Sequence, residues 1–239
     1  PVQRPAPTVH PTAHVHPTAR IDPTAHLGPF SSVDADTQVG PYAVLHAHVS
    51  VGRRCVIGPG TELRPRVKVG DHVAVGAGVL VHACTVIGLS SAKGDDGPAV
   101  IIGPDVELGG RAVIEPGLEA PTRIDSGTKT DNMVRIGSGA HIGPHCLLVS
   151  SAQVGPAAVL EHHVTLAGQA MVTADTHVEA VAIVAARGRA EGRVPSRSLV
   201  SGDPAIPHKE ELRRYANTVK LARLTDALES VLENADGAQ

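Results

Sequence analysis

VGRRCVIGPGTELRPRVKVGDHVAVGAGVLV, residues 51–81, sets an aliphatic side chain at every sixth position: Val51, Ile57, Leu63, Val69, Val75 and Val81. A period of six does not match the 3.6-residue turn of an α-helix, and Pro59 and Pro65 would break one here. Working outward, the period runs back without a slip to Val9 and forward to Ile87, giving fourteen hexads. It resumes at Ile102, Leu108 and Ile114, skips four extra residues, and continues from Ile124 through Thr130, Ile136, Ile142, Leu148, Val154, Leu160, Leu166 and Val172 to Val178, for 27 hexads.

The residue after the aliphatic is often glycine, as at Gly70 and Gly143. The residue four after it is small or β-branched, as at Ala43, Val73, Val79, Thr85 and Val106. The expected reasons are a tight corner whose backbone angles suit glycine, and an interior where a small side chain must share space with the aliphatic one. Three hexads close one triangular coil, so side chains eighteen residues apart stack at the ~4.8 Å spacing of a parallel ladder. The fold expected is an all-β solenoid, a left-handed parallel β-helix of hexapeptide repeats, with about nine coils and a length of roughly 40 Å. After Pro204, Leu212, Tyr215, Val219, Leu221, Leu224, Leu228, Val231 and Leu232 fall at mostly helical spacing. The division expected is a β-helix over 1–203 and C-terminal α-helices, one or two of them, over 204–239, covering the last coil against edge pairing.

Composition agrees with that plan. One Phe, two Tyr and no Trp accompany 25 Gly and 19 Pro, so the core must be built from small aliphatic side chains. A net charge of −3 gives no electrostatic reason to expect a nucleic acid or membrane surface as partner. No apolar run approaches the ~20 residues of a membrane span, and the opening PVQRPAPTVHP lacks the apolar stretch of a secretory signal; the expectation is a cytoplasmic protein. Cys55, Cys84 and Cys146 show no metal-ligand spacing and are expected as buried, reduced thiols at small inward positions. Two interruptions are expected to protrude: LSSAKGDDGPAVI from Leu89 to Ile101, and APTR from Ala120 to Arg123.

The stretch from Val100 to Gly143, VIIGPDVELGGRAVIEPGLEAPTRIDSGTKTDNMVRIGSGAHIG, resembles the central coils of the UDP-3-O-(3-hydroxyacyl)glucosamine N-acyltransferases, which carry a similar four-residue skip in the same register. The tail SGDPAIPHKEELRR resembles that family's exit from its β-helix into C-terminal helices. The resemblance implies a homotrimer with active sites in the clefts between prisms, an acyl group delivered on acyl carrier protein, and an amine on a nucleotide-linked sugar as acceptor. Three positions depart from the family pattern. The family holds its uridine partly with a domain ahead of the repeats, whereas here repeats begin near Val9; its general-base His corresponds to Ser138; and a second His corresponds to Gln169.

The activity expected is therefore acyl transfer from an acyl carrier protein or coenzyme A thioester to a small-molecule amine or hydroxyl acceptor other than the lipid A sugar, or a repurposed cleft, with no bound cofactor or metal. The alternative is a non-catalytic trimeric scaffold or binding protein. Transfer to an amine or hydroxyl needs a group that removes a proton near neutral pH, which a serine alone does not supply and an imidazole does. His141, His145, His162 and His163 are the candidates for a relocated base, set against a reading as outward polar residues. Asp131 and Asn132, with Ser138 and Gln169, are candidates for holding substrate, although an Asp-Asn pair also suits a plain turn. His10, His14, His16 and His26 are expected to be surface repeat residues. His141 and His145 loosely resemble the ligands of the γ-class carbonic anhydrases, but Asp105 stands where the third His is expected. Lys93, Asp95 and Asp96 form either a closing loop or a solvated one, and Arg213, Arg214, Lys220 and Arg223 are candidates for contacting an acidic carrier protein.

Overall fold

The computed structural model describes residues 6–89 and 97–236. Strands of two or three residues wind about ten times around a triangular prism, left-handed, with a single C-terminal helix. Face 1 begins at Thr8–Val9, face 2 at His14–Val15 and face 3 at Arg20–Ile21, and each face receives every third strand in parallel. The register follows the eighteen-residue spacing: Leu63 lies between Leu45 and Val81, and Val69 between Val51 and Ile87. The solenoid runs past the last hexad read from the sequence, through Val184, Ala190, Val194 and Val200. That extra coil escapes the periodic reading because Ala190 and Val194 are only four residues apart and alanine is a weak marker of an inward position.

The aliphatics of the hexads fill the axis from Leu27 to Val200, and the small residue four places later lies beside each of them. Threonine at that second position is buried without an orphaned hydroxyl. Thr37, Thr61, Thr85 and Thr128 donate to the carbonyls of Gly52, Gly76, Gly109 and Gly143 at 2.6–2.8 Å. Cys55 and Cys146 occupy the same position and are buried, with Sγ 3.0 Å from the Gly70 and Glu161 carbonyls. Cys84 does not: it sits one residue earlier in its hexad, at a corner, and is exposed.

The corners are turned differently from the expectation. Positive φ falls on the third residue after the aliphatic, and side-chain-bearing residues such as Phe30 (56°), His48 (60°), Cys84 (63°) and His145 (56°) adopt it. Left-handed backbone costs an L-residue about 1–2 kcal/mol. It is offset because it aims the corner amide down the ladder: His48 N donates to Pro29 O, Cys84 N to Pro65 O and His145 N to Ser126 O, at 3.0–3.1 Å. The glycines directly after the aliphatics are there for another reason, close approach of the next coil. A Cβ on Gly58 would lie 2.4 Å from the Gly76 carbonyl carbon, and one on Gly70 2.1 Å from the Gly88 oxygen.

At the end of the solenoid an antiparallel strand, Ile206–Pro207, pairs with Val200 and Ser201 and closes face 1. The helix His208–Asp236 starts there, with Ser201 Oγ and His208 Nδ1 2.8 Å apart. Leu212, Tyr215, Val219, Leu221, Leu224 and Leu228 are exposed along it, so the covering strand, rather than an apolar helix face, seals the last coil. No helix among the described residues is long and apolar enough to cross a membrane.

Candidate functional site

Both insertions leave the same edge, between faces 2 and 3, in successive coils. Part of the first is described, and Lys93, Asp95 and Asp96 lie outside the described residues. The Ala99 carbonyl accepts from Gly117 N at 2.9 Å and Thr122 N at 3.1 Å, which ties the second insertion to the first. The extra residues bulge before the point expected: Thr122–Ile124 is already a strand of face 3, and the protruding part is 115–121, with Leu118 exposed at its tip. Gly117 permits this turn, since a Cβ there would lie 1.8 Å from the Ala120 oxygen.

Ser138 lies beneath the bulge and both of its hydrogen-bonding groups serve it. Its hydroxyl donates to Pro116 O at 2.8 Å and its amide to Glu115 Oε2 at 3.1 Å. Arg135 holds the other Glu115 oxygen at 2.5 Å, and Gly139 N donates to Thr122 Oγ1 at 2.9 Å. A groove of about 280 Å³ opens beside this corner on face 2, over Gln153, Pro156, Met171 and Thr173. A hollow of about 320 Å³ lies on the face 3 side, under Gly97 and Pro98.

The four candidate histidines gather elsewhere, along face 3 and the edge between faces 3 and 1. His141 Nε2 is 2.8 Å from Asp125 Oδ2, one coil earlier. His145 and His163 stack with ring centroids 5.2 Å apart, and His162 meets His163 edge-on with Nδ1 atoms 3.1 Å apart. His177 continues the line, 2.8 Å from Glu161, whose other oxygen accepts from Ala180 N. Asp125, Glu161 and His177 were missed by the sequence reading. The signal that would have found them is regular: each carboxylate is sixteen residues from its imidazole, one coil less two, as is Glu62 from His46.

Asp131, Asn132 and Gln169 occupy the third edge, between faces 1 and 2. Asp131 accepts from Asn132 N at 2.7 Å and from the Ser150 hydroxyl, and these bonds, the hydroxyl first, hold its carboxyl below the usual range. Asn132 Oδ1 accepts from Gly110 N at 2.8 Å, and Gln169 Oε1 from Arg187 Nε at 3.1 Å. Within one chain the eight candidates are thus spread apart: His145, His162 and His163 come together with His141 on the adjoining face 3, whereas Ser138, Gln169 and the Asp-Asn pair do not join them. No group of three or more His, Cys, Asp or Glu among the described residues is arranged to hold a metal ion.

These coils and corners define a hexapeptide-repeat, left-handed β-helix protein. Residues 31–65 match the bacterial transferase hexapeptide family (six repeats). The chain is similar to the UDP-3-O-acylglucosamine N-acyltransferases of a Methylobacterium species, at 32% identity over 70% of this chain and 49% of that one, and of Methylorubrum extorquens, at 36% over 73% and 46%. It spans about half the length of these curated relatives. Among solved structures it shares its fold with LpxA from Acinetobacter baumannii, with a TM-score of 0.65 and 18% identity over 87% of this chain and 77% of that one. A UDP-N-acetylglucosamine acyltransferase gives a TM-score of 0.63 and 17% identity over 90% and 80%.

Proposed function

We propose that this chain is a homotrimeric, cytoplasmic acyltransferase that moves an acyl group from an acyl carrier protein or coenzyme A thioester to a small amine or hydroxyl acceptor other than the lipid A sugar. The sequence relatives support the reaction class, and free Cys55, Cys84 and Cys146 accord with a reducing compartment. The observation that carries a mechanism is the His141–Asp125 pair. The carboxylate orients the ring through Nε2, while Nδ1 makes no hydrogen bond among the described residues. In the proposed step His141 Nδ1 takes the acceptor's proton as its nitrogen or oxygen attacks the thioester carbonyl. The tetrahedral adduct then expels the thiolate, which takes up the proton. A trimer under closed symmetry gives each prism two neighbours, so a second chain would complete the site beside His145, His162 and His163 or beside Asp131, Asn132, Ser138 and Gln169. Arg213, Arg214 and Lys220 are exposed on the helix as a docking surface for an acidic carrier; the side chain of Arg223 lies outside the described residues.

The test is a mass-spectrometric assay of the purified protein with a panel of acyl-carrier and coenzyme A thioesters and of amine and hydroxyl acceptors. Loss of a general base costs about 10²–10⁴ in rate. His141→Ala and Asp125→Asn are therefore expected to lose most turnover, and His145→Ala, His162→Ala and His163→Ala less. Undiminished turnover in His141→Ala would sink the assignment of the base. Ser138 favours a second reading, a non-catalytic scaffold or binding protein, because the residue in the family's base position is spent on holding the bulge. Absence of turnover with every pair supports that reading.

A further inference from the structure

The edge between faces 1 and 2, which also carries the substrate-holding candidates Asp131, Asn132 and Gln169, bears a second groove, of about 490 Å³. It is lined by His82, Cys84, Gly110, Arg111, Asn132 and Met133. Arg66, Cys84 and Arg111 hold the same corner position in three successive coils, all with positive φ and all exposed. Cys84 N donates to Pro65 O and Arg111 N to Ala83 O, so one ladder spacing of ~4.8 Å separates the thiol's backbone from each arginine's.

The charge around this groove is unbalanced. Neither Arg66 nor Arg111 has a side-chain hydrogen bond or ion pair among the described residues, whereas the nearby carboxylates are already engaged. Glu107 is bound by His82 at 3.0 Å and Lys129 at 3.4 Å, and Asp131 by the Ser150 hydroxyl and the Asn132 amide. Asn132 spends its side-chain oxygen on Gly110 N, which leaves its Nδ2 hydrogens without an acceptor among the described residues. The groove therefore offers free donors and free positive charge beside an exposed Met133.

We propose that this groove binds a phosphate-bearing small molecule, with the phosphate held between the Arg66 and Arg111 guanidiniums and the Asn132 amide. Arg111 lines the groove and Arg66 holds the same corner two coils earlier on this edge, beyond Cys84, and two planar forks suit a dianion with several terminal oxygens better than a single carboxylate. The apolar Met133 side chain flanks the space for the rest of the ligand. This site is away from His141 and Asp125, shares Asn132 with the acyl-transfer reading, and is tested by a readout that does not depend on acyl transfer.

Cys84 makes the site measurable in the intact 239-residue chain. Cys55 and Cys146 are buried, and burial pushes both thiols up to about 11, so Cys84 is the thiol open to alkylation near neutral pH. Mass spectrometry would follow its reaction with iodoacetate, an anion, and with neutral iodoacetamide, in each case by displacement of iodide by the thiolate. At low salt the ratio of the two rates is expected to exceed that of an unstructured cysteine peptide by about three- to tenfold, the scale set by two unit charges at these distances in a largely aqueous setting. Millimolar inorganic phosphate should slow the iodoacetate reaction, and acetate at equal ionic strength should not. Arg66→Ala and Arg111→Ala should each lower the ratio by about twofold or more. Arg197→Ala, the same corner position on the edge between faces 3 and 1, should leave it unchanged. A ratio equal to the peptide's, a ratio untouched by both groove substitutions, or equal protection by acetate and phosphate would overturn the proposal.

Discussion

A single methyl group separates a coil that stacks from one that cannot. On Gly58 that carbon would lie 2.4 Å from backbone of the next coil, and on Gly70 2.1 Å from a carbonyl oxygen, where no side chain can swing aside. Gly97 has open space around its missing Cβ but a φ of +77°, so alanine there meets only backbone strain. Overpacking a tight interior costs about 1–3 kcal/mol or more, and the left-handed conformation about 1–2 kcal/mol. We expect Gly58→Ala and Gly70→Ala to lower the midpoint of thermal unfolding well below that of Gly97→Ala, as followed by far-ultraviolet circular dichroism. Equal midpoints would show that the coils move apart to admit the methyl. The same logic explains why a glycine-rich hexad reads as a turn signal when its glycines mainly permit contact: in a sequence, a missing side chain looks the same whichever need it serves.

Among the elements, the bulge 115–121 is where sequence and structure inform each other most. The skip between Ile114 and Ile124 is legible because it interrupts a period, but its exact path is not. Thr122 and Arg123 continue face 3, so the protruding residues are those before them, a distinction set by pairing with Val100 and Ile101 rather than by residue type. The role of Ser138 is equally hidden, since its partners Glu115 and Pro116 are a coil away. We expect Ser138→Ala to speed amide hydrogen exchange across 115–121, while overall stability falls by only about 1 kcal/mol, the net worth of one hydrogen bond. Unchanged exchange in the bulge would mean that Glu115 and Ala99 hold it unaided. Ser138→His, which replaces the hydroxyl with a bulkier ring, should loosen the bulge in the same assay.

For the whole molecule, the periodic aliphatics make the prism legible almost from end to end, because a one-dimensional stack repeats its packing problem every eighteen residues. What stays illegible is whatever depends on the third dimension of that stack. His145 and His163 touch because they share an edge in adjacent coils, while Asp131 and Ser138, only seven positions apart, stand on different edges. Sequence distance is a poor guide to the site here, and distance modulo one coil is a good one. The ladder has a mechanical side as well. Its hydrogen bonds run along the prism's long axis, and each coil is bound chiefly to its two neighbours. Pulled at its two ends, such a spring should open one winding at a time, each ordinary winding of eighteen residues releasing about 60 Å of chain. Val75 and Ile102 are ladder partners 27 residues apart, so the winding between them should release about 90 Å, and that between Ile102 and Ile124 about 75 Å. The force trace of one stretched molecule would then mark both insertions as two long steps among shorter, even ones.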